Sequence, residues 1–351
     1  MILKLTSFLL FSLIFAGCSE QRPSTVRANE SHDGPVNQKY EEKIANYLQT
    51  KSVAEGWEWF MYRSHGFRAT PMILIKLLPE LDQDIWGLPS EKFSRFGHFV
   101  LPGDNDRVLP SSLGMTSYAT RENPRPLIVT TETCGTCHTG RVRIDDKVMP
   151  ILGGVNVQFD IRKWRTALEK TVNKYLATAA DRKSTAARLR DIVQSKPARF
   201  FHADADEDLG QRDYILRAGG AESMLTNFAS WSAGFSEGKS KQRATTYAGK
   251  NNKHSPSIDE GHPGQVDASG DLLAQRLPTT FGMPSGASIT DIPSVWKQSE
   301  YSAGQWDGSV TNQFIRNLAA QVAVVPGRTV DRRVAYYALQ FVTDLPAPPF
   351  P

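Results

Sequence analysis

The chain has 351 residues, 40% of them hydrophobic and 22% charged, with a formal net charge of +4. These are the proportions of an ordinary globular protein, long enough for one large or two smaller domains, and they exclude a chain too polar to bury a core. The small charge decides nothing about nucleic acid, but no basic run interleaved with aromatics appears and none is expected as a partner.

The first seventeen residues read as a secretory signal. Lys4 precedes an apolar run too short to span a bilayer comfortably, and the run ends in Phe15-Ala16-Gly17-Cys18. That ending resembles a lipobox. Cleavage over 1–17 would leave Cys18 as the first residue, to be acylated and to hold the mature chain on a membrane without crossing it. Residues 18–38 are polar and carry Pro, Ser, Asn and Gly, as a flexible tether does. From Lys39 to about Tyr62 the pattern is helical, with Ile44, Tyr47, Leu48, Trp57 and Phe60 available for burial. Leu77 to Pro126 is rich in Pro and Gly and has no lasting periodicity, so irregular chain is expected, wrapped along one side of a bound group.

Cys134-Gly135-Thr136-Cys137-His138 has the attachment spacing of a c-type haem. One turn of helix sets two thiols to add to the two haem vinyl groups and turns the next imidazole onto the iron. The C-x-x-C spacing also serves thioredoxin-like dithiols and half of a zinc site. A zinc site needs a further ligand pair, and there is no other C-x-x-C and no H-x-x-x-H; a dithiol makes no use of His138. One covalent haem c per chain is therefore the expected cofactor, with Cys134 and Cys137 as attachment residues and His138 as iron ligand. Haem c is assembled on the exported side of the bacterial membrane, so motif and signal agree. With Cys18 acylated and the other two cysteines bonded, none of the three would remain free on the periplasmic side.

Helices are predicted from about Asp160 to Ala179, with a stripe of Ile161, Trp164, Leu168, Val172 and Tyr175, and from about Arg182 to Gln194 with a basic solvated face. The acidic run Asp204, Asp206, Glu207, Asp208 fails as a calcium loop, because Leu209 and Ile215 stand where Gly and Glu are needed. A polar insertion follows at about 236–271; His254 and His262, with Asp259 and Glu260 between them, read as solvated loop residues rather than a metal site. The stiff loop Thr280-Phe281-Gly282-Met283-Pro284 can deliver a thioether, so Met283 ranks first as the second axial iron ligand. Met149, Met115, His65, His98 and His202 are the other candidates. Trp296, Trp306 and Phe281 either wall an apolar distal side or simply pack. Arg141 and Arg143 either pair with haem propionates or stand exposed. A last helix is expected from Thr329 to about Thr343, capped by Thr329, with Val334, Tyr337, Ala338 and Phe341 inward, before a Pro-rich terminus at 346–351.

Five features occur in order: Cys134 to Gly140, Gly153-Gly154 before an amphipathic helix, Asp291-Ile292-Pro293-Ser294-Val295-Trp296, Gln305-Trp306-Asp307-Gly308-Ser309, and Pro346-Ala347-Pro348-Pro349-Phe350-Pro351. Together they resemble the rubber-oxygenase-like dihaem c-type cytochromes, distant relatives of the bacterial dihaem cytochrome c peroxidases. The resemblance implies a mainly α, cytochrome c-like helical haem domain with extensive irregular loops, here over 39–345. It also implies Cys134 and Cys137 as thioether ligands and His138 as proximal ligand. In those proteins a Pro-rich stretch leads to a second C-x-x-C-H, which this sequence lacks. A single haem on this chain is expected, with any second haem domain on another chain. The functional expectation is electron transfer with a redox partner protein. The alternative is a haem-dependent oxidoreductase, oxygenase or peroxidase-like, with an open iron position; a gas or redox sensor ranks last.

Overall fold

The computed structural model describes residues 33–66, 70–104, 109–118, 127–144, 147–196, 206–230, 265–266, 290–302, 310–324 and 330–348. Over these the protein is mostly helical with small antiparallel sheets. The mainly α expectation holds. The signal segment, Cys18, Met283, Phe281, Trp306, His202, His254, His262 and Thr329 lie outside the described residues.

Helices α1 (Asp33–Tyr47) and α2 (Lys51–Tyr62) replace the single helix expected over 39–62. The first begins within the stretch read as tether. The break falls at Leu48 to Thr50, where backbone N–H groups reach carbonyls of the last turn of α1. Ile44, Trp57 and Phe60 are buried as the pattern requires.

The largest departure from expectation lies in 77–126. That stretch starts inside α3 (Met72–Leu81), where every residue except Glu80 is buried. A helix apolar on all sides has no polar face and so no 3.6-residue periodicity to read. A short helix α4 (Gln83–Trp86) follows, capped by Asp82, whose carboxylate accepts from the Ile85 N–H at 3.1 Å. Strand β2 (Leu113–Tyr118) then pairs antiparallel with β3 (Leu127–Glu132), Leu113 opposite Glu132, and β1 (Thr70–Pro71) lies on the other edge of β3.

After β3 come the one-turn helix α5 (Cys134–Cys137) and a hairpin, β4 (Thr139–Ile144) and β5 (Lys147–Leu152). Helix α6 (Ile161–Tyr175) is capped by Asp160, whose carboxylate accepts from Lys163 N at 2.8 Å; Trp164, Leu168, Val172 and Tyr175 pack inward as predicted. Helix α7 (Ala179–Ser195) begins three residues before the expected Arg182. The Thr178 hydroxyl accepts from Asp181 N at 3.1 Å and the Asp181 carboxylate accepts from Thr178 N at 3.0 Å, a reciprocal cap that fixes the start. Helices α8 (Asp206–Leu216) and α9 (220–230) complete this half. Two residue pairs of strand, β6 (Gln265–Val266) and β7 (Thr290–Asp291), pair antiparallel. Helices α10 (Gln313–Val324) and α11 (Arg332–Val342) follow, the latter capped by Asp331.

Two apolar clusters hold the fold. One gathers α3, α6, α7, α8 and α9 around Trp86 and Trp164, whose rings meet edge to face at 5.3 Å. The other joins α1, α2, α11 and the hairpin around Phe60, Trp57 and Phe341. Gly56 lets α2 and α11 touch: a Cβ there would lie 2.6 Å from Tyr337 O and 2.7 Å from Phe341 N. The sheet residues Leu113 and Ile128 belong to the first cluster, while Cys134 packs against the second. The α5 turn therefore sits where the chain passes from one core to the other.

Candidate functional site

The C-x-x-C-H segment is a short helical turn because Thr133 and Thr136 cap each other. Thr136 N donates to the Thr133 hydroxyl at 3.1 Å, and Thr133 N donates to the Thr136 hydroxyl at 2.7 Å. The Thr136 hydroxyl is also tied to Ser112 O at the start of β2. Gly135 has no side chain because Met61 of α2 occupies that space; a Cβ there would stand 2.4 Å from the Met61 sulfur.

The far end of the turn is satisfied just as fully. Gly153 N donates to His138 O at 2.9 Å, Asn156 N to Cys137 O at 2.9 Å, and the Asn156 amide to Thr136 O at 2.8 Å and Gly97 O at 3.0 Å. Asn156 is buried and was not visible in the sequence, where only its place two residues after Gly153-Gly154 hinted at a turn. Gly153 has φ +75°, and a Cβ would strike Trp296 and Leu345. Gly153 O accepts from Val295 N at 2.8 Å, and the Trp296 indole donates to Leu152 O at 2.7 Å. The 291–296 segment is thus pinned to the hairpin, and the Pro293 carbonyl is brought to within 2.9 Å of His138 Nδ1.

That contact sets the histidine's chemistry. A carbonyl oxygen only accepts, so Nδ1 must carry the proton, and the lone pair lies on Nε2, for which no hydrogen bond is found among the described residues. Burial, reinforced by the Arg316 charge, lowers the His138 pKa to about 3, so the ring is neutral at ordinary pH. Burial likewise pushes both thiols up to about 12, with the neighbouring Glu132 carboxylate adding to the shift at Cys137. Cys134 and Cys137 are free, and each keeps part of its surface exposed.

These shifts weigh against the dithiol alternative, whose attacking sulfur needs a lowered pKa. A zinc site finds no support either: among the described residues no three His, Cys, Asp or Glu groups converge to hold an ion. Iron carried in a macrocycle asks less of the protein on this side, two thiols and one imidazole nitrogen.

The remaining candidates scatter. His98 is fully buried, edge-on to Trp164 at 4.6 Å with Nδ1 3.0 Å from the Ser112 hydroxyl, and is a core residue. Met115 packs against the first cluster, and Met149 is held in the hairpin opposite Val142. His65 is buried against the backbone of Thr133 with Nδ1 unpartnered among the described residues, as is Nε2 of His98, and the His65 charge would act on His138. Arg141 lies over the Phe99 ring at 5.0 Å and is bonded to Gln158, while Arg143 is exposed. Trp296 packs in the second cluster. Besides Asn156, the sequence did not single out Arg316 and Gln321 of α10. The Gln321 amide comes up to the Cys134 sulfur, and the Arg316 charge bears on Cys134 and His138.

Residues 55–138 match the family model of the Y4iN-like domain, a segment that runs from α2 and ends on His138 itself. Over 192 residues the chain is 30% identical to "Uncharacterized protein y4iM" of Sinorhizobium fredii (strain NBRC 101917 / NGR234), which covers 43% of each chain. Over 66 residues it is 44% identical to "Uncharacterized protein y4iN" of the same organism, covering 19% of this chain and 32% of that one. The chain thus spans less than half the length of the curated relatives it matches, and no solved structure matches it. These findings overturn the resemblance to rubber-oxygenase-like and dihaem peroxidase-related cytochromes. The motifs behind it were short and persuaded by their order, and one of them has a packing role: the segment around Trp296 braces the hairpin. The segment that matches the Y4iN-like domain model closes on the C-x-x-C-H turn.

Proposed function

We propose that this protein carries one covalent c-type haem on Cys134, Cys137 and His138 and serves in electron transfer. The observation that supports it best is the His138 Nδ1 to Pro293 O hydrogen bond, which leaves a neutral imidazole with Nε2 uncommitted one residue after two neutral thiols. Each cysteine would give its sulfur to one carbon of a vinyl group and its hydrogen to the other, an addition that needs no oxidant. Bound there, haem supplies a one-electron couple. The chain's own contribution is a rigid turn, braced at both ends by Thr133 and Asn156, and a histidine aimed by a backbone carbonyl.

The partners in this reading are a redox protein and a membrane, the latter through acylated Cys18 on the periplasmic side. Support for the anchor comes from residues 1–18 alone.

The test is expression of the full chain in cells equipped for haem c maturation, followed by a haem stain on denaturing gels. The wild type should stain, and Cys134→Ala and Cys137→Ala should lose covalent haem. Full-intensity bands from both variants, or no band from the wild type, would sink the reading. Carbon monoxide then separates activities: a reduced spectrum that ignores it supports a carrier, whereas ready binding favours the oxygenase- or peroxidase-like alternative. Cys18→Ser should move the protein from membrane to soluble fractions; unchanged partition refutes the anchor.

A further inference from the structure

His138 is aimed by a circuit of hydrogen bonds that closes on itself. Its backbone O accepts from Gly153 N at 2.9 Å, and Gly153 O accepts from Val295 N at 2.8 Å. Two residues before Val295, the Pro293 carbonyl accepts from His138 Nδ1 at 2.9 Å. The circuit joins the α5 turn, the end of the hairpin and the 291–296 segment, and the imidazole is the one side chain in it. Its weak member is the segment. Residues 292–295 lie in no helix or strand, and Pro293 has no N–H by which its own peptide could be held.

Trp296 supplies what the backbone lacks. Its indole Nε1 donates to Leu152 O at 2.7 Å, beside the Val295 bond to Gly153 O, so two adjacent residues of the segment grip two adjacent carbonyls of the hairpin end. The ring fits against Gly153, where a Cβ would stand 2.8 Å from Trp296 Cδ1 and 2.6 Å from Leu345 Cδ2. Beyond Trp296 the chain is tied to the end of α11 and the residues after it, Lys297 N donating to Leu345 O at 3.1 Å and Ser299 N to Thr343 O at 2.9 Å. Those bonds fix the far end of the segment. Only the Trp296 and Val295 bonds fix it next to the carbonyl that His138 uses.

We propose that Trp296 is a positioning residue for the iron ligand: through Leu152 and Gly153 it holds the Pro293 carbonyl on His138 Nδ1, and so sets the basicity of the nitrogen offered to iron. This rests on the haem reading above and deepens it. The two ring nitrogens of an imidazole point in divergent directions, so a residue tied to the partner of Nδ1 stands behind the histidine. Trp296 therefore does not belong to the distal wall considered for it from sequence. A firm Nδ1–H bond to a carbonyl makes Nε2 a stronger donor, which stabilises oxidised iron; a slack bond removes that bias.

The experiment uses the full chain with its haem, comparing wild type, Trp296→Phe and Ser299→Ala by haem load, by reduction potential, and by proton NMR of the His138 Nδ1–H, read as its exchange with solvent. Trp296→Phe keeps an aromatic ring and drops the donor. Ser299→Ala removes a bond from the same segment to Asp344 and leaves the hairpin contacts in place. Trp296→Phe should load haem normally, raise the potential and speed the exchange about tenfold, the weight of one hydrogen bond. Ser299→Ala should match wild type in both. A loaded Trp296→Phe with wild-type potential and exchange overturns the proposal, and so does a Ser299→Ala that moves as far as Trp296→Phe, because loosening the segment anywhere would then suffice. If Trp296→Phe does not accumulate, the wild type decides: the His138 Nδ1–H and the Trp296 indole N–H should be equally protected from exchange, and a His138 proton about tenfold less protected overturns the proposal. A wild type with no covalent haem overturns this inference together with the reading it rests on, whereas a loaded wild type with unresponsive variants overturns this one alone.

Discussion

Asn156→Ala should be the most damaging polar truncation at the turn. The side chain is 1% exposed and its amide nitrogen serves two carbonyls, Thr136 O at 2.8 Å and Gly97 O at 3.0 Å, while its oxygen accepts from Gln158 N at 3.2 Å. Alanine leaves both carbonyls without that donor. At about 1–3 kcal/mol for each buried group, discounted for water entering the space left behind, the expected loss is about 2–4 kcal/mol. Asn156→Asp sharpens the test, because it keeps the shape and the acceptor but turns a carboxylate toward two carbonyl oxygens. Burial and those oxygens would raise the folded-state pKa above the ordinary carboxylate value of about 3.9. A group raised in this way destabilises above its folded pKa and is relieved as pH falls below it, once the acid O–H can donate. At pH 7 the order should be wild type, then alanine, then aspartate, and the last two should converge near pH 4. Urea unfolding followed by tryptophan fluorescence measures this, with the midpoint moving and the slope unchanged. An alanine variant within about 0.5 kcal/mol of wild type, below the range for an unmet buried group, would refute the account, as would an aspartate variant as stable as wild type at pH 7.

Gly56→Ala should destabilise by about 1–3 kcal/mol although alanine is the better helix former by about 1 kcal/mol, since the new methyl meets backbone atoms of α11 that cannot swing away. A raised thermal midpoint for this variant would show that α2 and α11 do not touch there. Acid should weaken the fold through its buried histidines. Burial holds His98 down to about 3 against an ordinary value of about 6.5, so its contribution is present above pH 6.5 and is lost as pH falls toward 3. Between about pH 5.5 and 4, His98→Phe should therefore show a stability slope shallower than wild type by about 1.4 kcal/mol per pH unit. Identical slopes in the two proteins would mean that His98 protonates as readily in the folded state as in the unfolded one.

Local patterns were legible from the residues alone. C-x-x-C-H is a contiguous pattern, and a reciprocally capped turn brings its three side chains together without help from distant chain. Amphipathic helices were legible for the same reason: the stripe from Trp164 to Tyr175 and the inward residues Val334, Ala338 and Phe341 repeat at the helical period, and each lies against a core. Where periodicity vanishes the reading failed, as in α3, whose burial on every side erased the signal. Family resemblance failed where short motifs were joined by order alone. What surrounds the turn comes from chain far away in sequence. Pro293 reaches His138 across 155 residues of sequence. A lone proline carbonyl and a buried asparagine carry no spacing that marks them. They acquire roles because packing brings donors and acceptors that are distant in sequence side by side.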